Sequence, residues 1–263
     1  MVRILFVFFL PLFLIFNSIP AQARLDILPN KVVMDPRDRS AEVTVINLFD
    51  QPSLYRVSLL NYRQNADGTY TTLDTPLNPN FDPATAVRYS PRQFQLPPGG
   101  RQKIRISLRK PNDLPEGEYR FHLLATRFEV DKPGAVTKNG VDLKMNVGVA
   151  IPVVVQHGAV QTGGQIMTTK IVPQEDNPSK QDMEVTIARS GNGSAVGQLA
   201  IYQNDAGGNP QRIGFISNFN VFSENTQRMI AVPLRWDPRG RGPVRLVYTD
   251  INGNVYDDKQ KNF

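Results

Sequence analysis

Few residues in this chain are equipped for reactive chemistry. There is no cysteine, and the two histidines are His122 and His157. Without a thiol the chain has no cysteine nucleophile, no disulfide framework and no cysteine-ligated zinc or iron–sulfur cluster. Two histidines argue against a multi-histidine metal site. Aspartates and serines occur throughout, yet no nucleophile-elbow, paired-carboxylate or phosphate-loop spacing brings them together. Asp67, Asp74 and Asp82, with Asn78 and Asn80 between them, lack the spacing of a calcium loop and read as turn formers. His122 alternates with Tyr119, Phe121 and Leu123 on the opposite face of its strand, and His157 falls between the two halves of the chain. Both read as surface or interdomain residues. The chain is expected not to be an enzyme and to need no metal or cofactor.

The remaining chemistry is that of the backbone itself. Val141, Leu143, Met145, Val147, Val149 and Ile151 share one face of an alternating run, with Asp142, Lys144, Asn146, Gly148 and Ala150 on the other. The run is long for one strand of a sandwich. It also contains Pro152, which cannot donate to a ladder and so belongs at an edge, a strand start or a bulge. An exposed edge carrying an apolar row invites aggregation unless something covers it. Two uses fit the pattern: a core strand entering a linker, or a strand that pairs with another chain. Five such side chains buried in a partner would contribute about 8–15 kcal/mol gross, before ordering costs.

The chain has 263 residues and a formal net charge of +6. Arg37, Arg39, Arg101, Lys103, Arg105, Arg109 and Lys110 read as spread over loops and alternating strand positions. Nucleic-acid binders show a clustered basic stripe with a recognisable motif, so no nucleic-acid partner is expected. Charge of this size and sign suits the steering of acidic partners or anionic surfaces.

These residues must be positioned by strands. The N-terminus has a targeting pattern: Arg3, an apolar stretch from Ile4 to Phe16 interrupted by Pro11, then Ala21-Gln22-Ala23 as a small-x-small cleavage site. The apolar stretch is shorter than the ~20 residues of a spanning helix, and the mature chain is expected to carry no integral membrane segment. Beyond Ala23 the period is two, as in Ala41, Val43, Val45 and in Ile104, Ile106, Leu108. Turn signals such as Asp67-Gly68, Pro97-Pro98-Gly99-Gly100 and Asn252-Gly253-Asn254 punctuate the runs. The pattern predicts an all-β protein: a signal peptide over 1–23, then two tandem immunoglobulin-like β-sandwich domains over 24–156 and 157–263, about seven strands each. A single large barrel or jelly roll is the alternative.

Several segments in order resemble one family. Lys31-Val32-Val33-Met34-Asp35 through Val43-Thr44-Val45-Ile46-Asn47 looks like the first two strands of the PapD-like periplasmic chaperones of the chaperone–usher pilus pathway. Tyr89-Ser90-Pro91-Arg92 and Gln95-Leu96-Pro97-Pro98-Gly99-Gly100-Arg101-Gln102-Lys103-Ile104-Arg105-Ile106 are similar to that family's proline-rich turn and following strand. Leu114-Pro115-Glu116-Gly117-Glu118-Tyr119-Arg120 sits where the family has a Leu-Pro signature. The resemblance implies a periplasmic assembly chaperone for pilus or fimbrial subunits. Such a protein lends its donor strand to a subunit that lacks one, then delivers it to an outer-membrane usher.

The donor-strand residues would be Val141, Leu143, Met145, Val147 and Val149. The family's first-strand basic anchor for the subunit carboxylate falls on Lys31. Its second anchor falls within Ala150 to Pro152, none of them basic, so Arg88 and Arg92 become candidates to supply that charge. Glu118, Gln156 and Asp237 are candidates for an interdomain polar cluster. Self-association would be another use of the open edge. The competing reading is a structural surface or pilus component, a β-sandwich adhesin or carbohydrate-binding module, with Tyr202, Phe215, Phe219 and Phe222 stacking on sugars.

Overall fold

The computed structural model describes residues 24–128 and 146–263. The targeting segment and Val141, Leu143 and Met145 of the alternating run lie outside the described residues. The first half of the chain forms β1 (Leu25–Leu28), β2 (Val32–Met34), β3 (Ser40–Asn47), β4 (Ser53–Gln64) and β5 (Tyr70–Leu73). A single helical turn, α1 (Pro83–Ala86), precedes β6 (Val87–Ser90), β7 (Gln93–Leu96), β8 (Arg101–Leu108), β9 (Gly117–Phe128) and β10 (Gly148–His157). The second half forms β11 (Thr162–Pro173), β12 (Gln181–Gly191), β13 (Ala195–Asn204), β14 (Pro210–Val221), β15 (Gln227–Pro233), β16 (Val244–Asp250) and β17 (Val255–Lys261).

The expected all-β fold of two sandwiches is the observed one. In the first, a sheet ordered β1-β3-β8-β6 faces a sheet ordered β2-β10-β9-β4-β5, with β7 also on β4. In the second, β11-β12-β15 faces β14-β13-β16-β17. The first half has more strands than its hydrophobic runs suggest, because two runs are each cut by a proline. Pro29 separates β1 from β2 and Pro91 separates β6 from β7. At each cut the chain leaves one sheet and joins the other, where the missing proline N–H interrupts the ladder.

Each sandwich has its own core. Ile27, Val45, Ile104 and Ile106 meet Tyr55, Phe121, Leu123 and Val153 in the first. Met183, Val185 and Ile187 meet Leu199, Ile201, Leu246 and Tyr248 in the second. With no disulfide available, burial of these side chains and the backbone ladders between strands hold each sandwich.

One polar residue organises the first core. Asn47 is fully buried at the end of β3. Its amide nitrogen donates to the carbonyls of Leu96 (3.1 Å), Pro97 (3.0 Å) and Gln51 (3.0 Å). Its side-chain oxygen accepts from the Tyr55 hydroxyl at 2.7 Å and the Phe49 N–H at 3.0 Å. Asn47 thus ties the end of β7 and the turn before β8 to β4. Asn47→Ala should destabilise the protein by about 2–3 kcal/mol, since it leaves the Tyr55 hydroxyl and the Leu96 carbonyl buried without partners. Urea unfolding followed by tyrosine and tryptophan fluorescence measures this. A loss under 0.5 kcal/mol, on the order expected of a neutral surface change, would show that water replaces the amide.

Candidate functional site

β10 is paired along its whole length on one side and along less than half of it on the other. Against β9 the antiparallel register runs from Gly148↔Thr126 to His157↔Gly117, and the Arg127 N–H donates to the Val147 carbonyl at 2.8 Å. On the opposite side β2 runs parallel to it and covers Val153, Val154 and Val155. Among the described residues no strand pairs with the outer edge of Gly148–Pro152. Pro152 stands at the step where the covered part begins. The alternation read from the sequence keeps its phase here. Ile151, Val153 and Val155 lie in the core, and the half-exposed Val149 packs against it. Val147, half-buried, is two residues further along the same face. Two exposed apolar side chains, Leu28 and Val33, lie on the neighbouring β1 and β2.

Lys31 immediately precedes β2. Extending the Val32↔Val153 register by one residue sets it beside Pro152. Burial pushes its ammonium below the usual lysine range, and the Glu118 carboxylate opposes that shift. A basic group thus stands where the open part of the edge ends.

Arg88 and Arg92 do not stand there. β6 and β7 lie at the opposite side of the sandwich, against β8 and β4. In the sheet that holds both, β4 is three strand spacings from β2, or about 14 Å. Arg88 donates to the carbonyls of Ala84 (3.2 Å) and Val87 (3.4 Å), and Arg92 lies over the Tyr89 ring at 5.2 Å. Among the described residues the contacts of both arginines are thus with their own neighbours and not with Lys31. Arg88 lies on β6, at the edge of the other sheet, and Arg92 lies in the turn between β6 and β7.

β9, which carries β10, is buried on both faces. Tyr119, Phe121, Leu123 and Ala125 point into the first core. Glu118, Arg120 and His122 alternate with them, on the face that would meet water in an isolated sandwich, and all three are buried. The second sandwich supplies partners for Glu118 and Arg120. The Glu118 carboxylate accepts from the Ser194 hydroxyl and, at 3.2 Å, from the Ser194 N–H. The Glu118 carbonyl accepts from the Ser223 hydroxyl at 3.2 Å. Arg120 is fully buried and pairs with Glu224. It also donates to the Tyr62 carbonyl at 2.9 Å and lies 3.9 Å above the Phe222 ring.

His122 meets the edges of Tyr62 and Tyr70, with ring centroids 5.0 and 5.8 Å away. Burial, with the Arg120 charge adding to it, lowers the imidazole from 6.5 to about 3. It is therefore neutral at physiological pH.

The β4–β5 hairpin completes the joint. The Met229 N–H donates to the Ala66 carbonyl at 2.7 Å, and the Asn225 side chain donates to the Gln64 carbonyl at 2.8 Å. Gly68, at φ +90°, sits so close to Arg228 that a Cβ there would lie 2.4 Å from the guanidinium.

Of the three interdomain candidates, Glu118 lies within this cluster. Gln156 takes part in a different tie, its carbonyl accepting from Lys110 at 2.7 Å. Asp237 lies in an exposed turn, its carboxylate held by Arg239 two residues on. Sequence reasoning missed Arg120, Glu224, Ser194 and Ser223 as a set. The available signal was Glu118, Arg120 and His122 on one face of an otherwise apolar strand, but their partners lie about a hundred residues away.

The sugar-stacking candidates divide. Phe219 stacks on Tyr248 in the second core, and Phe222 lies under Arg120. Tyr202 and Phe215 line a 380 Å³ depression on the outer sheet. Two of the four are buried, and the other two stay on the surface. Among the described residues no group of three or more histidines, cysteines or carboxylates is placed to hold a metal.

No family model and no curated protein matches the chain. Solved structures do. The class 5 fimbriae chaperone CfaA is 13% identical, with 90% of this chain and 97% of that chain covered and a TM-score of 0.46. The E. coli chaperone DraB is 15% identical, with 91% and 96% covered and a TM-score of 0.46. The CsuC–CsuE chaperone–tip adhesion subunit pre-assembly complex of Acinetobacter baumannii matches at 12% identity, 91% and 97% coverage and a TM-score of 0.45. The two-sandwich architecture described above is read from this chain's own strands.

The joint leads to two expectations. Arg120→Met leaves Glu224 without its cation in a dry site and should cost about 3 kcal/mol. Adding Glu224→Gln should restore part of that loss in a double-mutant cycle; strictly additive losses would mean the two do not interact. The second concerns pH. His122 takes up its proton near pH 6.5 in the unfolded chain but only near pH 3 in the folded one. Between those values the unfolded state holds one proton more, so stability falls as pH drops from about 6.5 toward 3, by at most about 1.4 kcal/mol per pH unit. Above about pH 7 this group contributes no slope. His122→Gln should flatten the profile between pH 4 and 6.5, measured by urea midpoints. An unchanged slope would assign the acid sensitivity to the carboxylates.

Proposed function

We propose that this protein is a periplasmic chaperone that holds pilus or fimbrial subunits by donating a strand along the open edge of β10. The observation that carries the reading is the half-paired state of that strand. Among the described residues its backbone groups from Gly148 to Pro152 have no strand on their outer side, and Val147 and Val149 continue the apolar row that Ile151 and Val153 begin in the core. An incoming chain would gain a row of backbone hydrogen bonds from the edge, and specificity from alternate side chains. Val141, Leu143 and Met145 extend the same phase in sequence. The residue order that resembles the PapD-like chaperones supports the reading, as does the targeting pattern, which implies export. The two domains, 24–156 and 157–263, act as one body around β9 in this proposal.

Lys31 is proposed as the anchor for a carboxylate at the end of the bound segment. A charge-assisted contact from an ammonium fits a half-buried position, though without the bidentate geometry of an arginine. Delivery of the subunit to an outer-membrane usher completes the proposal. Self-pairing of two β10 edges is the state expected when no subunit is present. The competing reading as a structural surface component keeps Tyr202 and Phe215 at the surface, while Phe219 and Phe222 are buried.

Co-expression with a secreted subunit lacking its last strand should yield a stable one-to-one complex, read by size-exclusion chromatography with light scattering. Leu143→Asp combined with Val147→Asp should abolish that complex, because two charges would have to be buried against the subunit's core. If the doubly substituted protein still forms the complex, strand donation through this segment is wrong. Lys31→Ala should weaken the complex about 10- to 100-fold through loss of a charged hydrogen bond. Equal affinity would move the anchor elsewhere. Purification of the protein alone as a polymer would favour the structural reading.

A further inference from the structure

A second surface lies at the other end of β10 from the open edge. The turn after β2, the segment after β8 and the end of β10 enclose a depression of 580 Å³ lined by Arg37, Arg39, Arg109, Lys110, His157 and the single acid Asp38. These cations are separated by up to about seventy residues in sequence, which is why they read as scattered along the chain. The fold brings them together. The Leu108 N–H donates to the Arg39 carbonyl at 2.8 Å, which fixes the arginine-bearing turn against the end of β8.

The electrostatics of this rim are unbalanced. Asp38 accepts the Asp35 N–H at 2.9 Å. Among the described residues the guanidiniums of Arg37, Arg39 and Arg109 have no ion-pair or hydrogen-bond partner, whereas Arg120, Arg239 and Arg245 each hold a carboxylate. Lys110 is already engaged, donating to the carbonyls of Pro36 at 2.8 Å and Gln156 at 2.7 Å. It thereby ties the arginine-bearing turn to the end of β10 and pre-forms the depression. Three unpaired planar guanidiniums around a preorganised concavity are suited to bind several carboxylates with bidentate geometry.

The geometry points to a docking site for an acidic, extended polypeptide segment, two or three of whose carboxylates enter the depression between Arg37, Arg39 and Arg109. The concave shape favours a peptide over a bilayer, whose headgroups present a broad flat surface that cannot follow the walls of a cavity. The site is separate from strand donation, because it uses no residue of the open edge. It also adjoins His157 at the start of the link to the second sandwich, so an occupant would touch the junction between domains.

Fluorescence anisotropy of a labelled hexaglutamate peptide, titrated with the purified protein at low salt, tests this. The affinity should fall as salt rises. Arg37→Glu combined with Arg109→Glu should weaken binding at least ~10-fold, as expected for loss of charge-assisted contacts. Both positions are exposed, and an unchanged urea midpoint would confirm that the fold is intact. Arg101→Glu combined with Arg105→Glu makes the same change of net charge on the exposed face of β8 and should leave binding within about twofold. An equal loss in both variants would reduce the effect to overall charge and overturn the site. Full displacement of the peptide by inorganic phosphate at low-millimolar concentration would overturn the peptide assignment in favour of a small-anion pocket. Binding to phosphatidylglycerol vesicles that needs Arg37 and Arg109, with no binding of hexaglutamate, would overturn it in favour of a membrane surface.

Discussion

The molecule depends on a strand that has no solvent face. β9 gives Tyr119, Phe121 and Leu123 to one core, presses Glu118 and Arg120 against a second sandwich, and buries His122 beside Tyr62 and Tyr70. Burying a guanidinium and a carboxylate costs several kcal/mol for each ion, and only close pairing with further hydrogen bonds offsets it. The joint therefore tolerates little variation in geometry. Arg120 has the Tyr62 carbonyl of its own sandwich and Glu224 and the Phe222 ring of the other around it, and moving the second sandwich by a few ångströms would part Arg120 from Glu224. Specific polar contacts set the angle between the domains, where an apolar interface could slide.

That constraint reaches the open edge directly, because β9 and β10 are neighbours over ten residue pairs. The end of β9 locked by the second sandwich is the end at which β10 is covered by β2. Among the described residues the other end has no strand on its outer side. The strand is thus rigid where it leaves the first sandwich and available where its apolar row begins. Covering the whole edge with a longer β2 would remove the hazard of an exposed strand and the strand's capacity to pair. The short β2 and the proline at the step keep both.

Much of the architecture was legible from the sequence because a half-buried strand writes its environment with period two. The seven strands of the second sandwich follow the alternating runs closely, and the phase of Val147, Val149 and Ile151 matches the core side of β10. The first half was undercounted because Pro29 and Pro91 cut continuous runs into pieces that belong to different sheets, and hydrophobicity along a run does not record which sheet receives it. Arg88 and Arg92 contact their own neighbours and not Lys31 for the same reason. Closeness along the chain to a motif says nothing about which edge of a sandwich a strand occupies.

The sequence alone determined what is local: the all-β class, the absence of thiol chemistry, the apolar row and the turn-forming aspartates. Asp67 accepts from the Thr69 N–H and hydroxyl, and Asp82 caps the single helical turn, both over two-residue distances that composition can reveal. Tertiary structure decided the charge contacts between distant segments. Arg120 and Glu224 lie 104 positions apart and become an ion pair. Arg37 and Arg109, read as dispersed, become two sides of one depression. Hydrophobic alternation is a property of each strand and survives in one dimension. An electrostatic partner is defined by distance in space and by the exclusion of water, and both exist only once the two sandwiches have closed on β9.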